Sequence, residues 1–165
     1  MKNIFTNSMI LMLVFCCFSD ESFAQDKAEK TSEVKQMIDA KKFEFIAQSM
    51  TPTSGRMRQL TSYYSLIVKP DTLNSDLPYA GRAYSAPMDP AATGVSFIST
   101  SYDYKITDRK KGGWDIEIRP KDVNTVQTMQ LTVYDNGSAY LRVQSNQRQP
   151  ISYNGTVGAV KEKKQ

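Results

Sequence analysis

The side chains that most often do chemistry are either missing from this chain or gathered at one end of it. Histidine is absent, and the two cysteines, Cys16 and Cys17, are adjacent near the N-terminus. Without histidine there is no Ser-His-Asp relay and no imidazole base. Zinc and copper sites lose their usual nitrogen and sulfur ligands. There is no glycine-rich phosphate loop and no Asp-x-Asp-x-Asp-Gly calcium loop. The expectation is therefore no catalytic residue, no metal site and no cofactor. Carboxylates remain. Asp115 and Glu117 stand two apart on one strand face, with Asp103 on the facing strand. Such a cluster can supply the acid and base of glycan hydrolysis. Lys105 and Arg119 lie among these carboxylates, and the polar surroundings lack the dry pocket that raises a carboxyl pKa. A solvated, ion-paired face is the preferred reading.

A different grouping stands out by composition. The chain has nine tyrosines, while beyond residue 24 it has only three phenylalanines, Phe43, Phe45 and Phe97. In the run Leu77 to Pro90, Tyr79 and Tyr84 bracket Arg82. A second polar cluster, Asn146-Gln147-Arg148-Gln149-Pro150, precedes the last strand-like segment. An arginine among aromatic rings can stack on them and offer a fork of donors to a carboxylate or to sugar hydroxyls. Tyr79, Arg82, Tyr84 and Arg148 are accordingly the candidate ligand-binding residues. The competing reading is structural: the segment closes a barrel, Arg82 satisfies buried loop carbonyls, and the tyrosines cover the edge of the core.

The N-terminus reads as an address. Lys2 precedes the apolar run Met9 to Phe18, which is followed by Ser22-Phe23-Ala24. This is the cationic, apolar and small-x-small order of a secretory signal peptide, with cleavage expected between Ala24 and Gln25. Lipidation at Cys16 or Cys17 fits less well, because a small residue is needed just before the lipidated cysteine, whereas Phe15 precedes Cys16 and Cys16 precedes Cys17. Cleavage removes both cysteines, so the mature chain can form no disulfide. It also removes Lys2, Asp20 and Glu21 from 21 cations and 17 anions, which moves the formal charge from +4 to +5. That charge is spread along the chain, and neither it nor export favours nucleic acid as a partner. After signal removal no transmembrane segment is expected. The division is thus 1–24 signal peptide, 25–160 one domain and 161–165 polar tail.

The elements that must position these residues follow from periodicity. Val34, Met37, Ile38 and Lys41 form a narrow stripe on a helix expected over Gln25 to Lys42, with Thr31 or Ser32 as its N-cap. From Phe43 the period becomes two. Leu60 to Lys69 reads as a strand, and Asp71 to Thr93 as an irregular stretch with function or short edge strands in it. Matching apolar faces pairs Ile106 with Trp114, Tyr104 with Ile116 and Tyr102 with Ile118. Around Asp135-Asn136-Gly137, a three-residue loop with Gly137 in the left-handed region pairs Val133 with Ala139, Leu131 with Leu141 and Met129 with Val143. A last strand runs from Ile151 to Val160, interrupted at Asn154-Gly155. Asn136 and Asn154 match the N-glycosylation pattern but are read as turns. One helix and seven or eight strands give an α+β domain with a mostly antiparallel curved sheet, a sandwich or an open barrel.

The segments Lys42-Phe43-Glu44-Phe45, Arg58-Gln59-Leu60-Thr61 and Leu77-Pro78-Tyr79 resemble, in order, motifs of the bacterial family known as domain of unknown function 4251. So do Gly81-Arg82-Ala83-Tyr84, Asp103-Tyr104, Gly112-Gly113-Trp114 and the run Arg148 to Gly155. The resemblance implies an envelope or extracellular setting and brings no activity with it. Asp71-Thr72-Leu73 matches the Asp-Ser/Thr-aliphatic O-glycosylation pattern of some such bacteria. The leading functional reading is a non-enzymatic secreted or periplasmic module that binds an envelope glycan, peptide or protein partner. The alternatives are a carboxylate-based glycan hydrolase and a structural or assembly factor of the envelope.

Overall fold

The computed structural model describes residues 21–84 and 94–160. The expected apolar signal run, both cysteines, the stretch 85–93 and the tail 161–165 lie outside the described residues. Helix α1 (Glu21–Asp39) is followed by a nearly closed, barrel-like sheet of ten antiparallel strands. The first five strands are β1 (Phe43–Pro52), β2 (Arg58–Gln59), β3 (Ser65–Lys69), β4 (Thr72–Leu77) and β5 (Val95–Ser99). The second five are β6 (Tyr102–Asp108), β7 (Trp114–Pro120), β8 (Val126–Val133), β9 (Ser138–Ser145) and β10 (Ile151–Gly158). The order across the sheet is β5-β4-β3-β1-β10-β9-β8-β7-β6, with the short β2 also on β1. Pairing follows sequence order along β1, β3, β4 and β5 and along β6 to β10, while β10 returns to lie against β1 and the consecutive β5 and β6 form the two edges.

The alternation of side chains builds the core in rows. Ile116, Leu131, Leu141, Tyr153 and Met50 stand opposite one another across β7, β8, β9, β10 and β1, and all are buried. The next row is Trp114, Val133, Ala139, Gly155 and Ala47. Glycine is required in that row: a Cβ at Gly155 would lie 1.9 Å from the carbonyl oxygen of Ile46. A bulge between Ala47 and Ser49 moves the inward positions of β1 from Phe43, Phe45 and Ala47 to Met50 and Pro52. The extra residue flips parity and bends the strand, a device that helps a sheet to close. On the opposite face Glu44 is also buried, at 3% exposure. It accepts a hydrogen bond from the Tyr63 hydroxyl, whose pKa is pushed up to about 12 by desolvation and then by this carboxylate.

Helix α1 differs from the expectation at both ends. It begins at Glu21 and runs through Thr31 and Ser32, so neither is its N-cap, and Ala24 and Gln25 fall in its first turns. It stops at Asp39 because Lys41 adopts a left-handed backbone, φ 51°. The Lys42 amide then donates to the Met37 carbonyl at 3.0 Å and the Lys41 amide to the Ile38 carbonyl at 3.1 Å, a Schellman closure. Lys41 is therefore not on the apolar stripe. Its ammonium lies 5.2 Å from the centre of the Tyr104 ring, and the Tyr104 hydroxyl donates to the Ile38 carbonyl at 3.0 Å. Val34 and Ile38 enter the core.

The β8–β9 hairpin has the expected register and Gly137 at φ 79°. The β6–β7 hairpin is two residues away from expectation: Ile106 faces Ile116, Tyr104 faces Ile118 and Tyr102 faces Pro120. A two-residue slip preserves which face is apolar, so patterning admits both registers. The turn selects one, since Gly112 and Gly113 both have positive φ, and the Arg109 amide donates to the Gly113 carbonyl. The stretch expected to be irregular contains β4, an interior strand whose Ser75 is buried and donates to the Val95 carbonyl at 2.7 Å. Residues 60–64 precede β3 rather than belonging to it. Asn154-Gly155 does not interrupt the last strand, so Asn154 is not in a turn; Asn136 is.

The two edge strands, β5 and β6, are consecutive and meet at one corner. Asp122 clasps this corner. Its carboxylate accepts from the Ser99 hydroxyl and from the Thr100 amide at 2.8 Å. The Tyr102 hydroxyl closes the corner further by donating to the Lys69 carbonyl.

Two predictions follow from these contacts. Gly155→Ala destabilises the fold by about 3 kcal/mol or more, because backbone must move. Gly158→Ala, where a Cβ meets nothing within 4 Å, changes little. Urea unfolding of both variants checks the contrast. The hydrogen bonds to Asp122, the Ser99 hydroxyl first, hold its carboxyl pKa below the usual value. A depressed folded value means that the stabilisation is whole above the ordinary carboxylate range and is lost as pH falls through the folded value. Asp122→Asn is therefore less stable than the parent at neutral pH, and the gap closes toward pH 2 in unfolding curves.

Candidate functional site

One end of the barrel gathers the start of β5, the start of β8, the end of β9, the link that follows β4 and the link that precedes β10. The segment 79–84 is stitched to residues 147–149 there. The Tyr84 amide donates to the Gln147 carbonyl at 2.7 Å, the Gln149 amide donates to the Arg82 carbonyl at 3.1 Å, and Ala83 bridges Arg148. The Tyr79 hydroxyl reaches both strips, 3.0 Å from the Arg82 carbonyl and 3.2 Å from that of Gln149. Just below, the fully buried Tyr153 donates to the Pro78 carbonyl at 2.7 Å, which fixes the start of the segment. Burial pushes the Tyr79 phenol up, while the Arg148 charge pulls it back and the neighbouring Tyr84 adds to the rise.

All four candidate residues meet at this end, but their roles are redistributed. Arg148, not Arg82, is the stacked arginine: its guanidinium lies 5.0 Å from the centre of the Tyr79 ring and donates to the Gly94 carbonyl at 3.0 Å. Arg82 contributes its backbone and has an exposed side chain. It is thus not the clamp on loop carbonyls that the structural reading required; Arg148 takes that part. Tyr84 presents an exposed ring at the rim.

Beside this stack lies a crevice of about 70 Å³, walled by Val95, Val126, Val143 and Ile151 and bordered by Tyr79 and Arg148. Gln149 also lines it. Its Oε1 is buried and has no hydrogen-bond partner among the described residues. Gln149 was not among the expected site residues. The signal for it was present in the polar cluster before β10, where only Arg148 drew notice as a charge.

The carboxylates are elsewhere. A broader trough of about 400 Å³ on the outer face of β6, β7 and β8 includes Lys105, Asp115, Glu117 and Gln130. Its acidic groups are paired: Thr132 donates to Asp115 at 2.7 Å, Arg109 lies 3.5 Å from Asp115, and Arg119 lies 2.6 Å from Glu117. Asp103 pairs with Lys121 at 2.6 Å, not with the other two. Exposed pairs of this kind contribute little to stability. Among the described residues, no three Asp, Glu, Cys or His side chains are grouped to hold a metal ion. No helix among them is long and apolar enough to cross a membrane.

A helix leading into a curved antiparallel sheet of this topology has solved counterparts. A crystal structure of a DUF4251 family protein from Bacteroides eggerthii DSM 20697 superposes with a TM-score of 0.60 at 14% identity, covering 80% of this chain and 89% of that one. The likeness extends to sequence: the profile of the domain of unknown function DUF4251 matches residues 25–157, and the chain belongs to that family. Among curated proteins none matches it.

The division of labour between the two arginines is testable. Arg148→Ala removes the stack on Tyr79 and the bond to Gly94, and lowers stability by about 1–2 kcal/mol. Arg82→Ala keeps the carbonyl that carries the pairing and stays within about 0.5 kcal/mol of the parent. Thermal unfolding of the two variants side by side reads the difference.

Proposed function

We propose that this chain is an exported, non-enzymatic envelope module that binds a ligand or partner at the Tyr79–Arg148 end of its barrel. The observation that carries the reading is the buried, unpartnered Gln149 Oε1 in a crevice with apolar walls. Buried polar atoms in folded proteins nearly always have a partner, so one without demands an explanation. The rest of the end is rigidly held by backbone pairing and by the Arg148–Tyr79 stack, so the acceptor is presented by a preformed frame. The Asp115 and Glu117 carboxylates, in contrast, are tied to neighbouring side chains on an open face. Export is supported by the signal-like order of residues 1–24, which also contains every cysteine.

The test is a glycan, peptide and metabolite screen followed by nuclear magnetic resonance. Binding that perturbs Tyr79, Arg148 and Gln149, without product formation, is expected. Turnover of an envelope glycan that is lost in Asp115→Asn or Glu117→Gln overturns the reading in favour of a hydrolase. For export, mass spectrometry of the native product is expected to show a chain beginning at Gln25; a chain retaining acylated Cys16 or Cys17 overturns that processing.

A further inference from the structure

Resting on the binding role proposed above, we infer that the crevice accepts a hydroxyl- or acetamido-bearing arm of a neutral sugar. Three constraints select that chemistry. The first is the acceptor. Gln149 Oε1 offers lone pairs only, so its partner must bring an N–H or O–H. A carboxylate or phosphate oxygen facing it would be repelled. The second is charge. The Arg148 guanidinium borders the same crevice, so an ammonium group, which would otherwise suit an amide oxygen, is opposed by a like charge. A neutral donor meets the acceptor without setting a like charge against Arg148.

The third constraint is the rim. Three of its hydroxyls have already used their protons within the protein. Ser96 donates to Asp76 at 3.0 Å, Ser145 to the Thr125 carbonyl at 2.6 Å, and Tyr79 to the carbonyls of Arg82 and Gln149. What these oxygens show to a ligand is lone pairs. With Gln149 Oε1 they make an acceptor-rich border. A polyhydroxylated ring supplies several donors to such a border, and its own oxygens can accept in return. A peptide backbone brings one N–H per residue and a carbonyl that also needs a donor. At about 70 Å³ the crevice takes an arm rather than a ring. The apolar walls of Val126, Val143 and Ile151 match the carbon of a hydroxymethyl group or the methyl of an acetamido group.

The experiment titrates the purified protein with N-acetylglucosamine, glucose, acetate, methylamine and an Asn-containing dipeptide, following the Gln149 side-chain amide and the Tyr79 ring by nuclear magnetic resonance. Saturable shifts at these groups are expected with a sugar and not with acetate or methylamine. The two sugars separate an acetamido arm from a hydroxymethyl arm. Gln149→Leu, which keeps bulk and removes the acceptor, is expected to weaken sugar binding at least tenfold while leaving a folded spectrum. Gln149→Glu is expected to reverse the preference toward methylamine. If neither sugar shifts these groups but the dipeptide or another screened ligand does, the sugar inference falls and the binding role stands. If nothing binds and Gln149→Leu melts at or above the parent temperature, ordered water alone serves the acceptor, and both fall. Equal sugar affinity in Gln149→Leu also overturns the inference.

Discussion

The barrel depends on one close approach, that of the β10 backbone to β1 at Gly155. There the Ile46 carbonyl occupies the space that any side chain would need. Every other pairing in the sheet joins strands that follow one another in sequence or nearly so. Among the named strands, the β1–β10 ladder is the pairing that joins the two halves of the sheet, and β1 also carries β2 and β3. If this contact opened, two meanders would remain, each with an apolar face exposed. The low side-chain volume of Ala47, Gly155 and Ala139 in one core row is the local expression of that constraint.

The same closure explains why the candidate residues gather at one end. Where β10 begins, the residues before it must cross the barrel end, and a crossing chain has backbone groups that no ladder satisfies. The Tyr79 hydroxyl, the Arg148 guanidinium and the 82–84 strip supply those partners. The arrangement is structural in its first duty. Among the described residues, Gln149 Oε1 is the buried side-chain atom there that this mutual pairing leaves over. This frame holds many groups still and leaves one acceptor unmet, which is the preorganisation of a rigid scaffold as opposed to an adaptable loop.

Much of this architecture could be read from residue order, and the failures share a cause. The β8–β9 register followed from face matching because Gly137 and the alternation of apolar residues agreed. The β6–β7 register did not, because a shift of two residues leaves the same side chains facing inward, and only the paired glycines at 112 and 113 distinguish the choices. Strand β4 was hidden since Asn74, Ser75 and Asp76 lack strand-like composition; tertiary placement between β3 and β5 decides it. The end of α1 at a lysine with positive φ breaks the usual glycine rule and is supported by the Tyr104 ring. At the candidate site the residue types were identified, but which arginine stacks depends on a contact across some seventy positions, which no local pattern encodes.

The return of β10 to β1 also bears on the order in which this protein can acquire its structure. Glu44 and Gly158 are partners although almost the whole described chain lies between them. Hairpins form early because their ends are near, whereas such a remote pairing waits for a large loop to close. A chain emerging from a ribosome exposes the sticky edge of β1 until β10 arrives. Until then the half-made sheet resembles an open clasp, vulnerable to foreign strands, and only β10 can shut it.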